Sequence, residues 1–453
     1  MAQDYRRAKL RGKSFKGKDL SGADFSYSNI RGVDFSNANL EGANFSHAKT
    51  GLQKRWAIVL VFTALLLSAL SGLLSAIGGS LVGILLLDTN RENLYVGIVS
   101  LAVLLIFFLI TLFRGVSAAF GFMALSVTCA GLAAVGWAGI VAVTWAGGTA
   151  HAGAMELAQV VAVIVTGTVG VVATILGTVT IAGAVALAGT IAGMIAVTIA
   201  ISIAAALSGI MAVMAARVNP LAGGVAVAIA VIVILLSAYV GCRALFEDEK
   251  QSAIRNLALS TVTRYGTNFQ DANLTDADFT RASVKNANFL RANLTRTCWF
   301  EVKKLNQAVV GKSYLANPAI RKIVVHKDLH NRNFDGWDLQ GLNLRAANLI
   351  DSTLVGAKLN NSDLRNANLM RANLMRSQVD NTDFRTAILT GAYIDNWGIT
   401  PQTQLEGAEC EYIFMRVPTK ENPNPRRLPT NWEDTFKPGE FALIFSPLSS
   451  TFN

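Results

Sequence analysis

The sequence predicts a mixed fold: an all-α polytopic membrane domain of about six helices, flanked on both sides by β-solenoid blocks. Three observations predict it. First, every fifth residue is apolar over three separate stretches. The longest runs in strict register through Leu329, Phe334, Leu339, Leu344, Leu349, Leu354, Leu359, Leu364, Leu369, Leu374, Val379, Phe384, Leu389 and Ile394. Second, residues 56–243 hold only four basic and three acidic side chains. Third, charged residues make up 15% of the chain and mean hydropathy is +0.40, values that point to a membrane.

A period of five suits neither an α-helix nor a flat strand. It needs a chain that turns a corner at every repeat and buries one large side chain there. A small residue stands two positions before most centres (Ala347, Ser352, Ala357, Ser362, Ala367, Ala372), so each corner buries a large and a small group. Fixed short periods of this kind mean a solenoid.

In chain order, residues 1–50 form the first repeat block, with centres Leu10, Phe15, Leu20, Phe25, Ile30, Phe35, Leu40 and Phe45. Lys13 and Lys18 fall where a small inward residue belongs, which predicts a frayed or open start. Lys54, Arg55 and Trp56 mark a membrane entry, with charges among headgroups and an indole at the interface. Residues 55–243 form the membrane domain, since a spanning helix needs about 20 apolar residues. Its spans are Trp56–Leu86, Leu94–Phe113, Val116–Trp145, two within the uncharged stretch before Arg217, and Leu221–Tyr239. Six spans keep both repeat regions on one side, with Lys54, Arg55, Arg114 and Arg243 in the cytoplasm.

Residues 244–264 are a charged, helical connector. A second block, 265–315, has centres Phe269, Leu274, Phe279, Val284, Phe289 and Leu294, and Trp299 continues the register. Asn317-Pro318 opens a helical insertion, 316–328, before the long block 329–416. The register slips by one after Ile399 and continues through Leu405, Cys410 and Met415. The Pro-rich tail, 417–453, carries Trp432 and Phe436 and is expected to cap the end of the solenoid, because an uncapped end is an aggregation-prone edge.

The motif Ala-(Asn/Asp)-Leu stands as Ala38-Asn39-Leu40, Ala272-Asn273-Leu274, Ala347-Asn348-Leu349, Ala367-Asn368-Leu369 and Ala372-Asn373-Leu374. It resembles the pentapeptide-repeat family. That resemblance implies a right-handed quadrilateral β-helix with four repeats per coil, so the first block is about two coils. It also implies a binding or scaffolding role. The layout of repeats, apolar block, repeats and Pro-rich tail is similar to cyanobacterial membrane-bound pentapeptide proteins of the heterocyst glycolipid localisation type.

With twenty residues per coil, residues twenty apart stack at the strand spacing of about 4.8 Å. Arg345, Arg365 and Arg385 then form a ladder, with Asp363 and Asp383 beside two of them. Either it is a solvated face with local partners or it binds an anionic or acidic partner. Ile350 stacks on Met370 and Val355 on Met375, rimmed by Arg371 and Arg376. This is a candidate partner-binding patch unless the insertion or the tail covers it. Asp271 and Asp276 should pair with Arg291 and Arg296 across coils. Arg11, Lys16, Arg31, Lys54, Arg55 and Trp56 are candidate lipid-headgroup contacts, because residues 1–55 carry eleven basic against five acidic side chains.

No nucleophile constellation, metal spacing, P-loop or dinucleotide fingerprint is present, and no cofactor is expected. Met1 runs straight into charged repeats, so no cleavable signal is expected. The cysteines Cys129, Cys242, Cys298 and Cys410 are widely spaced and fit single buried thiols. Acidic faces that mimic DNA are absent, and no nucleic-acid partner is expected. Intramembrane charge, the usual mark of a transport path, is nearly missing. Small residues such as Gly189 and Gly193 favour close helix contacts, within one chain or between copies as a homo-oligomer. The expected function is a non-enzymatic, membrane-anchored scaffold with protein and lipid partners. The alternative is a transport or export component, with lipids as the candidate cargo and the solenoid as regulator.

Overall fold

The computed structural model describes residues 3–53, 82–87, 89–114, 263–421 and 423–445 continuously, with single positions between 55 and 77 and between 220 and 235. The chain divides into two compact units, residues 1–53 with 265–453, and residues 54–264.

The repeat unit is a quadrilateral β-helix. Each corner is a turn closed by a backbone hydrogen bond, as from Lys13 N–H to the Leu10 carbonyl (3.0 Å). The third turn residue is left-handed, with φ +70° at Gly12, the type II pattern that favours glycine. Glycine fills most of these positions in the first block, whereas Asp271, Arg291, Ala346, Arg371 and Thr386 adopt φ of 56–60°. Between corners, residues twenty apart form parallel bridges, such as Asn29 with Lys49 and Asn348 with Asn368. Nearly every repeat centre is below 5% exposed.

The inward aromatic side chains stack into two columns. One runs Tyr5, Phe25, Phe45, Phe279, Trp299, with successive centroids 4.8, 5.0, 4.8 and 4.9 Å apart. The other runs Phe15, Phe35, Phe269, Phe289 at 5.4, 5.1 and 5.1 Å. The columns meet edge to face, the arrangement that ring quadrupoles favour. Beyond Trp299, leucine fills most of these positions.

The first coil is closed, contrary to the open start that Lys13 and Lys18 suggest. Leu10 and Phe15 are only 3% and 6% exposed, and Asp34 N–H bonds the Lys13 carbonyl at 3.1 Å. Both lysines are exposed. On an outermost coil no further coil lies above the inward slot, so a long side chain leaves it for solvent. Lys18 Nζ lies 5.6 Å from the Phe15 ring centre.

Repeat blocks separated in sequence share one hydrophobic core. Asp34, Asn39, Asn44 and Lys49 bridge directly to Asn268, Asn273, Asp278 and Ser283. The segment 54–264 is therefore spliced between two stacked coils. Its two ends are fastened together. Thr50 Oγ1 donates to the carbonyls of Ser283 (3.0 Å) and Lys285 (2.9 Å). Thr267 Oγ1 accepts from Gly51 N–H (3.2 Å) and donates to the Ile30 carbonyl (2.8 Å).

Within the inserted segment, helix α1 (Arg91–Arg114) is the one described helix long and apolar enough to cross a membrane. It covers the stretch expected as the second span as a helix and starts three residues earlier, after Asn90. Described positions between 55 and 77, and between 220 and 235, are helical. The spans expected at 116–145 and before Arg217, with His151, Glu156, Cys129, Cys242, Gly189 and Gly193, lie outside the described residues.

Helix α2 (Pro318–His326) is the expected insertion. Asn317 caps it by accepting from Ala319 N–H, Pro318 occupies its first turn, and Lys327 ends it in a left-handed conformation. The register slip after Ile399 is present, since Asp383, Ile388 and Tyr393 bridge to residues twenty-one further on. β1 (Ile413–Phe414), at the end of the long block, pairs antiparallel with β2 (Arg427–Leu428) of the tail, which also forms helix α3 (Glu440–Phe445). Phe441 is 1% exposed and Phe436 packs against the same core. Arg427 holds the tail by donating to three carbonyls, of Pro429, Asn431 and Asp434. Its guanidinium lies over Tyr412, 4.7 Å from the ring centre.

Candidate docking surface

The residue before each centre is usually Asn or Asp because its side chain closes the next turn. Asp24 Oδ1 accepts from Ser26 N–H (2.8 Å), and Asp278 Oδ1 from Thr280 N–H (2.8 Å). The same slot makes cross-coil amide ladders, Asn288 to Asn268 to Asp34 and Asn293 to Asn273 to Asn39. These carboxylates and amides are occupied in backbone geometry.

The expected cross-coil ion pairs are present. Arg291 reaches both Asp271 oxygens at 2.6 and 2.7 Å, and Arg296 reaches those of Asp276 at 2.7 and 2.6 Å. Arg371 does the same with Asp351, at 2.6 and 2.7 Å. The Arg371 and Arg291 guanidinium groups hold their partner carboxyls below the ordinary range. Arg371 is therefore committed to a neighbouring coil and does not simply rim the patch. Arg376 is exposed.

The arginine ladder is mostly neutralised. Arg365 is bidentate to Asp363 (2.9 and 2.7 Å) and lies 3.4 Å from Asp383, and Arg385 is bidentate to Asp383 (3.0 and 2.7 Å). The Asp363 side chain is only 1% exposed. At the corresponding place before Arg345 stands Asn343, which accepts from the buried Lys327 Nζ (3.0 Å). Arg345 is exposed and has no ion pair among the described residues. Of the two readings the sequence left open, local Asp partners take up two of the three charges, those of Arg365 and Arg385.

Ile350, Val355, Met370 and Met375 are half-buried. Met370, with Ile388 and Cys410 on the coils, faces Phe436 and Phe441 of the tail across a cleft of about 560 Å³. Burial pushes the Cys410 thiol up to about 12. Trp432, by contrast, stays 67% exposed. In the first block Arg11 and Lys16 are exposed and Arg31 half-buried. Arg55 is exposed and Trp56 half-buried, while Lys54 is outside the described residues. The solenoid-core residues Leu344, Leu349, Leu354, Leu359, Leu364, Leu369 and Leu374 are 0–1% exposed.

Sequence pattern alone misses a second cleft, of about 810 Å³, between α2 and the first coil of the long block. Lys322, His326 and Arg332 surround Phe334 and Trp337 there. The signal for it is the broken register between Trp299 and Leu329.

The pentapeptide-repeat family model, of eight copies, matches residues 19–49, 265–298, 328–366 and 354–391. No curated protein matches the chain. Among solved structures, the chain is similar to Rfr23, a pentapeptide repeat protein from the cyanobacterium Cyanothece 51142, at 24% identity over 30% of this chain and 60% of that one, with a TM-score of 0.14. It is also similar to HetL, a pentapeptide repeat protein involved in heterocyst differentiation regulation from Nostoc sp. strain PCC 7120, at 23% identity over 35% and 63%, with a TM-score of 0.13. A pentapeptide repeat protein from the Arabidopsis thaliana thylakoid lumen matches at 26% identity over 21% and 69%, with a TM-score of 0.08. The chain thus spans about three-fifths of the length of Rfr23 and HetL. Period, corner geometry and family model agree that residues 19–49, 265–298 and 328–391 are pentapeptide repeats.

Proposed function

We propose that the chain is a membrane-anchored, non-enzymatic scaffold whose single β-helix docks protein partners on the cytoplasmic side. The observation that carries this reading is the splice. Gly51 N–H donates to Thr267 Oγ1 and Thr50 Oγ1 to the Ser283 carbonyl on stacked coils, so both ends of the inserted segment emerge from the same region of the β-helix. A segment inserted in this way crosses a membrane an even number of times or not at all. Its low charge, and the exposed Ile98, Val99, Leu105 and Leu109 of α1, support lipid contact. Lys54 and Arg55 at the exit favour the cytoplasmic side for the β-helix.

The anchor is tested by carbonate extraction of native membranes and by reporters inserted after Gln53 and at residue 264. Retention in the membrane, with both reporters cytoplasmic, is expected. Release by carbonate, or reporters on opposite sides, would overturn the anchor. Docking is tested by quantifying cross-linked partners of the wild type and of Arg345/Arg365/Arg385→Glu with Met370/Met375→Lys. A partner lost from the variant while its membrane retention is unchanged is expected. An unchanged partner set overturns this surface.

A further inference from the structure

The β-helix is continuous in its core but not in its ladders. Asn293, Cys298, Lys303 and Val309 bridge to the coil behind them, and Asp328, Asn333, Asp338 and Asn343 to the coil ahead. No bridge joins these two sets among the described residues. The two parts meet on one side only, where Arg296 N–H donates to the Gly341 carbonyl (2.6 Å) and Asn343 Nδ2 to the Arg296 carbonyl (2.9 Å). On the other side α2 wedges them apart. Where a coil lies behind in register, the residue before each centre donates its N–H to that coil and its carbonyl accepts from it, as Asn29 does with Ala8 and Leu10, whereas the first coil of the long block makes no such bonds at Asp328, Asn333, Asp338 or Asn343 among the described residues. At Asp328 and Asn333 neither group has a protein partner among the described residues. Their edge opens into the cleft of about 810 Å³.

The chemistry of that cleft is specific. Its floor is apolar, formed by the buried Ile323, Leu329 and Phe334 with the half-buried Trp337. Its exposed rim carries Lys322, His326 and Arg332 against one carboxylate, Asp328. Unpaired strand groups recruit extended backbone, pockets beneath them select alternate side chains, and rim charge selects the partner's sign.

We infer that this cleft receives an extended, acidic segment of a partner protein. The segment pairs its backbone with Asn333, sinks an apolar or aromatic side chain onto Phe334 and Trp337, and places carboxylates against Lys322 and Arg332. This rests on the docking reading above and gives it a site and a ligand class. The failure of one is separable from the failure of the other, because a chain that stays membrane-bound with no peptide at the cleft loses only this site.

The test selects displayed hexapeptides on the full chain in nanodiscs, from one library with Asp or Glu at alternate positions and one with Lys or Arg there. Enrichment from the acidic library is expected, with apolar residues between the acids. Affinity should fall by about tenfold in Lys322→Glu with Arg332→Glu. It should be unchanged in Lys420→Glu, an exposed tail lysine away from the cleft. Hydrogen exchange should slow at Asn333 on binding. No acidic enrichment, or affinity indifferent to the Lys322/Arg332 pair, overturns the proposal. A concentration-dependent dimer that the double variant dissolves, with no acidic enrichment, would put a second copy there and also overturn it.

Discussion

Removing one ring at the splice should uncouple the first block from the rest. Phe279 is fully buried, stacked on Phe45 at 4.8 Å before the insertion and on Trp299 at 4.9 Å after it. It also meets Phe269 and Phe289 edge to face, at 5.7 Å each. Phe279→Ala deletes a ring packed on four sides inside a rigid stack that cannot collapse around the void. Buried Phe→Ala changes cost about 3–5 kcal/mol, and the four ring contacts place this site at about the upper end of that range. Phe279→Leu keeps most of the volume and matches what the long block uses, so about 1–1.5 kcal/mol is expected. In a solenoid each coil contacts only its neighbours, and stability is nearly a sum of local and interface terms. The loss should therefore be local. Hydrogen exchange read by mass spectrometry on the full chain should show protection falling over residues 5–45 and 268–300, with 344–394 unchanged. A uniform loss across the β-helix, or a cost for Phe279→Ala no larger than for Phe279→Leu, would refute the argument that the splice is held by the aromatic column.

Three further outcomes follow from particular residues. Ala346 is exposed and left-handed (φ 56°), so Ala346→Gly relieves backbone strain without losing burial. A rise of about 1 kcal/mol in unfolding free energy, read from the urea midpoint at constant slope, is expected. The Asp271 and Asp351 carboxyls are held below their ordinary value near 3.8 by Arg291 and Arg371. Their stabilising contribution is present above that value and is lost as pH falls through the lower folded pKa, because only the folded state favours the charged form. Wild type should lose stability on acidification below about pH 4, and Arg371→Met should show a smaller acid loss in pH-jump urea titrations. The Cys410 thiol, pushed up to about 12 by burial, should resist iodoacetamide at pH 8 in the folded chain and react after unfolding, as read by peptide mapping.

Much of the site chemistry was legible only in part. The twenty-residue spacing placed Arg345, Arg365 and Arg385 in one column and paired Asp271 with Arg291 and Asp276 with Arg296, because stacking is a fixed arithmetic once the coil is known. The same arithmetic missed Arg371 with Asp351, although those residues are also twenty apart. It could not show that Asp363 is sealed from solvent at 1% exposure and spends Arg365 locally. That depends on how tightly one corner closes. It also could not find the acidic-peptide cleft, because the feature that makes it is the absence of register.

The sequence by itself determined the corner. A five-residue period with a large and a small apolar group per repeat leaves few ways to bury both, so the inward residues, the turns and the slip after Ile399 were all readable. The tertiary structure decided which corners touch. Asp34 meets Asn268 across a segment of more than two hundred residues, and no local pattern carries that pairing. Phe45 on Phe279 and Thr267 between Gly51 and Ile30 settle it through ring stacking and hydrogen bonds that exist only after the chain has returned. The same holds for the break at α2, where burying Ile320, Ile323 and Val324 between two coils keeps the core closed and leaves the backbone edge of Asp328 and Asn333 open.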